Sequence, residues 1–227
     1  MFFYDWTYLL IIPGLLLGIW AQMKVKSAYA EYSRIPTRLG MNAAYVVDQL
    51  LRRNGNNKVR IGRVSGELTD HYNPADETLN LSEGVWGSNS IAALGIAAHE
   101  AGHAMQKHEN YAPLTLRTTI VPAVNLCSML STPLFFLGLL MALDPLLNLG
   151  IILFAASTVF ALVTLPVEFN ASNRAVNMLV EGGYVTGEEE RGVRKVLHAA
   201  ALTYVAAAVT SMLSLLRLVM LANRRRD

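Results

Sequence analysis

The sequence predicts a mainly α-helical integral membrane protein with about four transmembrane helices and a small cytoplasmic α+β domain. Three observations support this prediction. Of the 227 residues, 53% are hydrophobic and only 16% are charged, whereas soluble domains have about 45–50% and about 25%. The apolar residues are concentrated in four stretches that are almost free of charge. Residues 23 to 118, in contrast, are too polar and too long for a connector, so they predict a folded domain.

A helix that crosses the hydrocarbon core needs about 20 mostly apolar residues, and four stretches meet or approach that length. They are Trp6 to Gln22, Thr119 to Ala142, Pro145 to Val167 and Ala199 to Leu221. Only Leu143 and Asp144 separate the second stretch from the third, which predicts a tight transmembrane hairpin. The fourth stretch is rich in alanine and serine and contains one charge, Arg217. Small residues favour close helix packing in lipid, so we expect this helix to face other helices.

Basic residues beside these stretches predict the orientation of the chain. By the positive-inside rule, the two larger polar regions face the cytoplasm and Asp144 lies outside. A complete fourth span would place the arginines at 224 to 226 outside as well, so either that span is incomplete or the rule fails there. No basic residue precedes the first apolar stretch, so we expect an uncleaved anchor rather than a signal peptide.

These boundaries divide the chain into five regions. They are a membrane anchor (1–23), a cytoplasmic region (24–118), a transmembrane hairpin (119–167), cytoplasmic helices (168–198) and a fourth hydrophobic helix with a basic tail (199–227). Within the cytoplasmic region, apolar spacing predicts helices over Leu39 to Arg53 and Ile91 to Gln106. Alternation predicts strands over Lys58 to Val64 and Glu77 to Leu81, which we expect to form a short β-ribbon.

Charge and cysteine content exclude several classes of function. The 19 basic and 17 acidic residues give a net charge of +2, too small for the positive field that nucleic-acid binding requires. Cys127 is the single cysteine, so an intrachain disulfide and a cysteine-rich zinc module are both excluded. Any metal must therefore be held by nitrogen and oxygen ligands.

One motif predicts chemistry: His99-Glu100-Ala101-Gly102-His103, on the predicted helix Ile91 to Gln106. Two histidines four residues apart project from one helix face, so both imidazoles can bind one zinc ion at about 2.0–2.1 Å. Glu100 lies about 100° round the helix, within reach of a water bound to that ion. Zinc lowers the pKa of such a water towards about 7, and a carboxylate then takes its proton as the water attacks a peptide carbonyl. The motif predicts a zinc-dependent peptidase in which Glu100 is the general base.

The third zinc ligand must come from elsewhere in the chain. An extended motif would place a histidine at position 109, but this position is Glu109, which is too close along the chain to turn back easily. Asp144 lies across the predicted membrane. Glu168 is the first carboxylate after the predicted hairpin, which returns it to the level of the motif, so it is the strongest candidate. The poorer candidates are Glu181, the Glu188 to Glu190 run and His198.

Four segments of the chain, taken together, are specific for a known family. They are Leu68 to Pro74, Ala97 to His103, Val167 to Ala175 and Ala200 to Ala206. With them the chain resembles the YugP-like family of bacterial neutral zinc membrane metallopeptidases. The resemblance implies a membrane peptidase with a zincin-like domain, in which zinc is bound by His99, His103 and Glu168 and Glu100 is the catalytic base.

The sequence also resembles, more remotely, the heat-shock membrane protease and CAAX prenyl endopeptidase group. In that group the glutamate ligand opens a Glu-x-x-x-Asp pattern, but the corresponding position here is Ser172. The carboxylate that would orient a histidine ligand is therefore missing. We expect Asn173 or another residue to take over that role.

Further residues near the motif are candidates for substrate binding. We hypothesise that Glu77 to Leu81 is an edge strand that extends a substrate peptide by β-augmentation. Three side chains are candidates for stabilising the oxyanion: Tyr72, His71 and Arg174. The alternatives are a turn that caps its own backbone for the first two and a lipid-headgroup contact for Arg174.

Two other interpretations remain open from the sequence. Leu143-Asp144-Pro145 partly resembles the ligand motif of a site-2-type intramembrane protease. A non-enzymatic membrane scaffold with a structural zinc would need a fourth ligand, such as His71 or His198. In the favoured interpretation the chain is a multi-pass protein of the plasma or inner membrane with a cytoplasmic active site. Its expected partners are a peptide or protein substrate and membrane lipid; a second copy or another membrane protein is open, and nucleic acid is not expected.

Overall fold

The computed structural model describes residues 6–226, with side chains up to Arg224. Four long helices make up most of the chain, and a small sheet lies between the first two of them in sequence. In chain order the elements are a 3-10 turn (Trp6–Leu10), α1 (Ile12–Tyr32), α2 (Ala43–Arg53), β1 (Arg60–Val64), β2 (His71–Asn73), β3 (Thr78–Ser82), α3 (Glu83–Trp86), α4 (Ile91–His108), α5 (Ala112–Leu140), α6 (Asp144–Glu181) and α7 (Glu188–Arg226).

The four long helices, the first counted with the turn before it, are long and apolar enough to cross a membrane. In the most apolar part of each, only 11 to 22% of the residues are buried inside the molecule. Large apolar side chains such as Met129 and Leu140 are 66% and 80% exposed. An apolar surface of this extent favours contact with lipid over contact with water. The prediction of a mainly helical chain with four candidate spans is therefore confirmed.

The chain divides into two compact units, of which the first contains residues 6–22, 116–166 and 203–226. In this unit the backbones of α5 and α6 lie in close contact. A Cβ atom at Gly150 would lie only 2.6 Å from the main-chain nitrogen of Phe135. Glycine permits this approach, as small residues do between membrane helices. Phe135 and Leu147 are fully buried, and they pack with Leu218 and Ala222 of α7.

Helix α7 is uninterrupted through the predicted fourth span and packs antiparallel to the beginning of the chain. A Cβ atom at Gly14 would lie 2.8 Å from the Thr210 hydroxyl oxygen. Further along, Arg217 Nε donates a hydrogen bond of 3.2 Å to the Thr7 hydroxyl, and its guanidinium lies 3.9 Å from the centre of the Tyr8 ring. The fourth helix is therefore continuous, and it is long and apolar enough to cross a membrane.

The second unit contains residues 23–115 and 167–202. Its core is built around α4, whose small residues allow neighbouring elements to approach closely; Ala97, Ala98 and Ala101 are fully buried. Ser90 begins this helix, because its hydroxyl oxygen accepts a hydrogen bond of 3.2 Å from the main-chain N–H of Ala93.

Helix α2 packs beside α4 and begins later than the sequence predicts. Its first residue is Ala43 rather than Leu39. The side-chain oxygen of Asn42 accepts a hydrogen bond of 2.8 Å from the main-chain N–H of Tyr45, which makes Asn42 the N-cap.

The sheet of the second unit has the strand order β1-β3-β2. Strand β3 pairs in parallel with β1, with Ile61 opposite Leu79, and antiparallel with β2, with Tyr72 opposite Leu79. The hypothesis that Glu77 to Leu81 forms an edge strand for substrate is therefore wrong, because β3 is the central strand and both of its edges are occupied. The long connection after β1 contains β2 and returns the chain so that β3 lies between the other two strands.

Candidate metal centre

Helices α4 and α6 bring two imidazoles and one carboxylate together. The Nε2 atoms of His99 and His103 lie 3.3 and 3.5 Å from the same oxygen, Oε2 of Glu168. The two imidazole rings are 4.8 Å apart between centroids. The Glu168 side chain is only 3% exposed, and those of His99 and His103 are 14% and 12% exposed. Three polar groups are thus packed together in a place where water is largely excluded.

A close approach between the two helices makes this arrangement possible. A Cβ atom at Gly102 would lie 3.1 Å from both the Cα and the carbonyl carbon of Ala171, and closer still to its carbonyl oxygen. Gly102 lies beside His103 in sequence, and Ala171 follows Glu168 by about one helical turn. The absence of a side chain at Gly102 therefore lets the histidine face of α4 reach the carboxylate on α6.

The chemistry and spacing of the three groups fit a zinc ion. Two atoms bound to tetrahedral zinc at about 2.05 Å from the metal lie about 3.3 Å apart, which is close to the two distances observed. A carboxylate as buried as Glu168 is costly unless a positive charge or donors compensate it, and a metal ion would do so. His99, His103 and Glu168 could hold a metal ion through one atom each, all within 4.8 Å of one another.

Other residues considered as zinc ligands do not join this group. In the described part of the chain, no further histidine, cysteine, aspartate or glutamate belongs to it. The residues outside it are Asp144, Glu181, the run from Glu188 to Glu190, His71 and His198. The described residues thus offer three potential ligands and no fourth, a number that fits the open coordination of catalytic zinc sites better than the closed coordination of structural ones.

Each histidine is held at Nδ1 by a second partner. Ser172 Oγ lies 3.2 Å from Nδ1 of His99, and Gln106 Oε1 lies 3.0 Å from Nδ1 of His103. We expected Asn173 or another residue to orient a histidine, and Ser172 itself is that other residue. With Nδ1 engaged, Nε2 of each ring is directed towards Glu168. Metal sites commonly have such outer partners, which fix the orientation of the ring.

Glu100 lies on the same helix as the histidines and is fixed by strand β2. The main-chain N–H of Tyr72 donates a hydrogen bond of 2.9 Å to Glu100 Oε2. Burial raises the pKa of the Glu100 carboxyl, although His99, His103 and this hydrogen bond act in the opposite direction. Burial lowers the pKa of His103, but the carboxylates of Glu168 and Glu100 outweigh it and leave that pKa raised.

The three oxyanion candidates lie in different surroundings. His71 is exposed and its ring nitrogens lie 2.9 Å from the Thr69 carbonyl oxygen and 3.3 Å from the side-chain nitrogen of Asn80. The Tyr72 side chain packs against the core, where burial, Glu77 and Asp76 raise its pKa to about 12, so its hydroxyl stays protonated.

Arg174, the third candidate, forms an ion pair of 2.8 Å with Glu109. Its Nε also donates a hydrogen bond of 2.7 Å to Asn170 Oδ1. Arg174 is therefore already bound by two protein partners.

A cavity of about 400 Å³ opens beside Ser172, between α6 and α7. Its lining is apolar at Phe169, Val176, Leu197 and Ala201, and the other lining residues are polar or basic. Asn173, expected as an orienting residue, lines this cavity instead. Because Ser172 both lines the cavity and contacts His99, the cavity adjoins the metal-binding group.

Sequence reasoning missed Gln106 and Asn170. Gln106 follows His103 by three residues, a spacing that places two helical side chains next to each other, so this contact had a signal. No sequence pattern indicates the two hydrogen bonds from Gln106 to α6, since they join residues 61 and 64 positions apart in sequence.

Comparisons with known proteins identify the family of this chain. The model of a family described as "Putative neutral zinc metallopeptidase" matches residues 7–223. The chain is also similar to "Putative membrane protease YugP" of Bacillus subtilis (strain 168), with 47% identity over 218 residues that cover 96% of this chain and 97% of the relative. No solved structure matches the chain. The family match spans nearly the whole sequence, so the chain belongs to this neutral zinc metallopeptidase family.

Proposed function

We propose that this chain is a membrane-embedded zinc endopeptidase that hydrolyses peptide bonds in peptides or proteins. The observation that carries the proposal is the convergence of two imidazole Nε2 atoms on one buried carboxylate oxygen, with a second carboxylate on the same helix as the histidines. In this proposal His99, His103 and Glu168 are the metal ligands and Glu100 is the catalytic base. The printed names of the family and of the relative, a zinc metallopeptidase and a membrane protease, support the same class.

When bound, zinc supplies a Lewis acid that polarises the substrate carbonyl and makes a water molecule acidic enough to react near neutral pH. Glu100 takes the proton of the attacking water and returns it to the leaving amine. Its hydrogen bond from the Tyr72 main chain holds one carboxylate oxygen in place, which leaves the other oxygen for the proton. Partial burial supports this role, since it raises the pKa of Glu100 towards the working range of a general base and acid.

The proposed location is a multi-pass protein of the plasma or inner membrane, with the active site at the cytoplasmic face. The basic residues in the two larger polar regions and the four apolar helices support it. The cavity beside Ser172 offers substrate side chains a place next to the site. Peptide or protein substrate and membrane lipid are the proposed partners.

The first experiment measures zinc per protomer in purified full-length protein, because zinc content needs no known substrate. We expect about one zinc in the wild type and in Glu100→Gln, and a strong loss in Glu168→Ala. The wild type and Glu100→Gln are then compared for cleavage of membrane and soluble proteins, and only the wild type should cleave. Absence of zinc from carefully handled wild type, or equal zinc in Glu168→Ala, would contradict the proposed site. Equal cleavage by Glu100→Gln would contradict the proposed mechanism.

A further inference from the structure

The amide of Gln106 connects His103 to helix α6. Its nitrogen donates hydrogen bonds of 2.8 Å to the main-chain carbonyl of Val167 and of 2.9 Å to Asn170 Oδ1. Its oxygen lies 3.0 Å from His103 Nδ1. The Gln106 side chain is fully buried, so its amide does not form hydrogen bonds with bulk water. All hydrogen-bonding groups of this amide are therefore assigned to protein partners.

Which group donates and which accepts in these bonds is determined by partners that can only donate or only accept. Arg174 Nε donates to the same Asn170 oxygen at 2.7 Å, and a guanidinium has donors only. Asn170 must therefore present its oxygen, and Gln106 must turn its NH₂ group towards α6 and its oxygen towards His103. A main-chain carbonyl, which only accepts, holds the Gln106 NH₂ group in the same sense.

The consequence reaches the metal-binding group. His103 can bond to the Gln106 oxygen only if the proton of its neutral ring is on Nδ1. The lone pair is then on Nε2, the atom that lies 3.5 Å from Glu168 Oε2. Arg174 is itself held by Glu109 at 2.8 Å, so the series of bonds starts from an ion pair and ends at His103.

His99 has no equivalent arrangement. Its Nδ1 faces the Ser172 hydroxyl at 3.2 Å, and a hydroxyl can either donate or accept. This contact orients the ring of His99 without selecting its tautomer. Of these two histidines, only His103 has a partner at Nδ1 that selects its tautomer.

We propose that Asn170 and Arg174 are positioning residues that act through Gln106 to keep His103 in the tautomer able to bind a metal through Nε2. This inference rests on the proposed function, since it takes His103 to be a metal ligand. Loss of such outer partners typically weakens metal binding by about 10–100-fold.

The test compares Asn170→Leu with Asn170→Asp in the full-length protein. Aspartate keeps an oxygen that accepts from both Gln106 and Arg174, whereas leucine has a similar size and accepts from neither. We expect zinc affinity, measured by competition with a chelator, to fall about 10–100-fold in the leucine variant and to stay at the wild-type level in the aspartate variant.

A second pair of variants removes the dependence on how well leucine is tolerated. Arg174→Met leaves the Asn170 amide free to turn over and should weaken zinc binding. Adding Asn170→Asp should restore the affinity, because a carboxylate only accepts and fixes the direction without Arg174. Loss of a merely structural ion pair to Glu109 would not be rescued in this way.

Nitrogen-15 NMR of the histidine-labelled, metal-free protein, at a pH where the histidines are neutral, reads the tautomer directly in a Glu168→Ala background. This background is needed because the Glu168 carboxylate only accepts and would otherwise favour a proton on Nε2 of His103. We expect His103 to carry its proton on Nδ1 when residue 170 is unchanged or is Asn170→Asp, and to show a weaker preference in Asn170→Leu, where the Val167 carbonyl alone holds the Gln106 NH₂ group. If the wild type binds zinc and both Asn170 variants keep its affinity and tautomer, the positioning role is overturned and the proposed function stands. A wild type that binds no zinc overturns both.

Discussion

Replacing Gly102 with alanine should weaken zinc binding by pressing α4 and α6 apart. The new Cβ atom would lie 3.1 Å from two main-chain carbons of Ala171 and closer still to its carbonyl oxygen, whereas ordinary contact begins at 3.4 Å. A side-chain rotation cannot relieve this overlap, because the atoms belong to the backbone of α6. One of the helices must shift by several tenths of an ångström at least. Glu168 lies on the same stretch of α6, so it moves away from the histidines.

The expected size of the effect follows from the strain. Overpacking a close contact costs about 1–3 kcal/mol. Zinc binding must draw the ligands back together against this strain, and 1–3 kcal/mol of coupling corresponds to about a 5- to 150-fold loss of affinity. Stability changes less, since alanine is favoured over glycine in a helix by about 1 kcal/mol.

Gly95 provides the matched control, since it lies on α4 seven residues earlier and is also buried. A Cβ atom there would meet Val193 Cγ1 at 3.4 Å, which is an ordinary contact with a side chain. Gly95→Ala should therefore keep the wild-type zinc affinity and gain up to about 1 kcal/mol of stability. Zinc affinity by chelator competition and thermal unfolding are measured for both variants. If Gly102→Ala binds zinc as tightly as Gly95→Ala, the close approach of the two helices does not determine the site geometry.

Three further outcomes are expected. Tyr72 contacts Glu100 through its main-chain N–H, so Tyr72→Phe should leave peptide hydrolysis unchanged and Tyr72→Pro, which removes that N–H, should lower kcat. A loss of about 10²–10³-fold in Tyr72→Phe would instead show that the Tyr72 hydroxyl stabilises the oxyanion. Asn173→Trp should reduce cleavage but leave zinc content unchanged, because Asn173 lines the cavity beside the site from an exposed position; undiminished cleavage would show that substrate does not use this cavity. Removing zinc with a chelator should lower the Tm of the wild type and not that of Glu168→Ala, since a ligand present at about 1,000 times its Kd stabilises the folded state by about 4 kcal/mol. Equal changes in Tm for the two proteins would show that the stabilising metal binds at another site.

Sequence reasoning succeeded where the determining pattern is local or is set by the length of a membrane span. The spacing of His99 and His103 places them on one helix face because an α-helix repeats every 3.6 residues. Glu168 was favoured by counting apolar stretches, since a hairpin returns the chain to its starting side. The structure brings this carboxylate to the two histidines, although it is 65 positions from His103.

Features that depend on how elements cross could not be predicted in the same way. The partners of Gln106 on α6 are set by the approach of two helices at Gly102, which periodicity does not describe. The central position of β3 was missed because alternation identifies a strand but not its neighbours. Parallel pairing of β1 with β3 needs a crossover, and the alternating residues on either side of a turn suggested a simple ribbon instead.

The second unit is discontinuous in sequence, with residues 116–166 between its two segments, and this has a consequence for biosynthesis. The ribosome completes His99 and His103 well before it reaches Glu168. A nascent or truncated chain that ends within the hairpin therefore carries the histidine pair without its carboxylate partner. Domains generally fold as units during synthesis, but this one must wait until the hairpin has been made. The order of synthesis thus delays assembly of the three-residue group until after α1, α5 and the first part of α6 have been made.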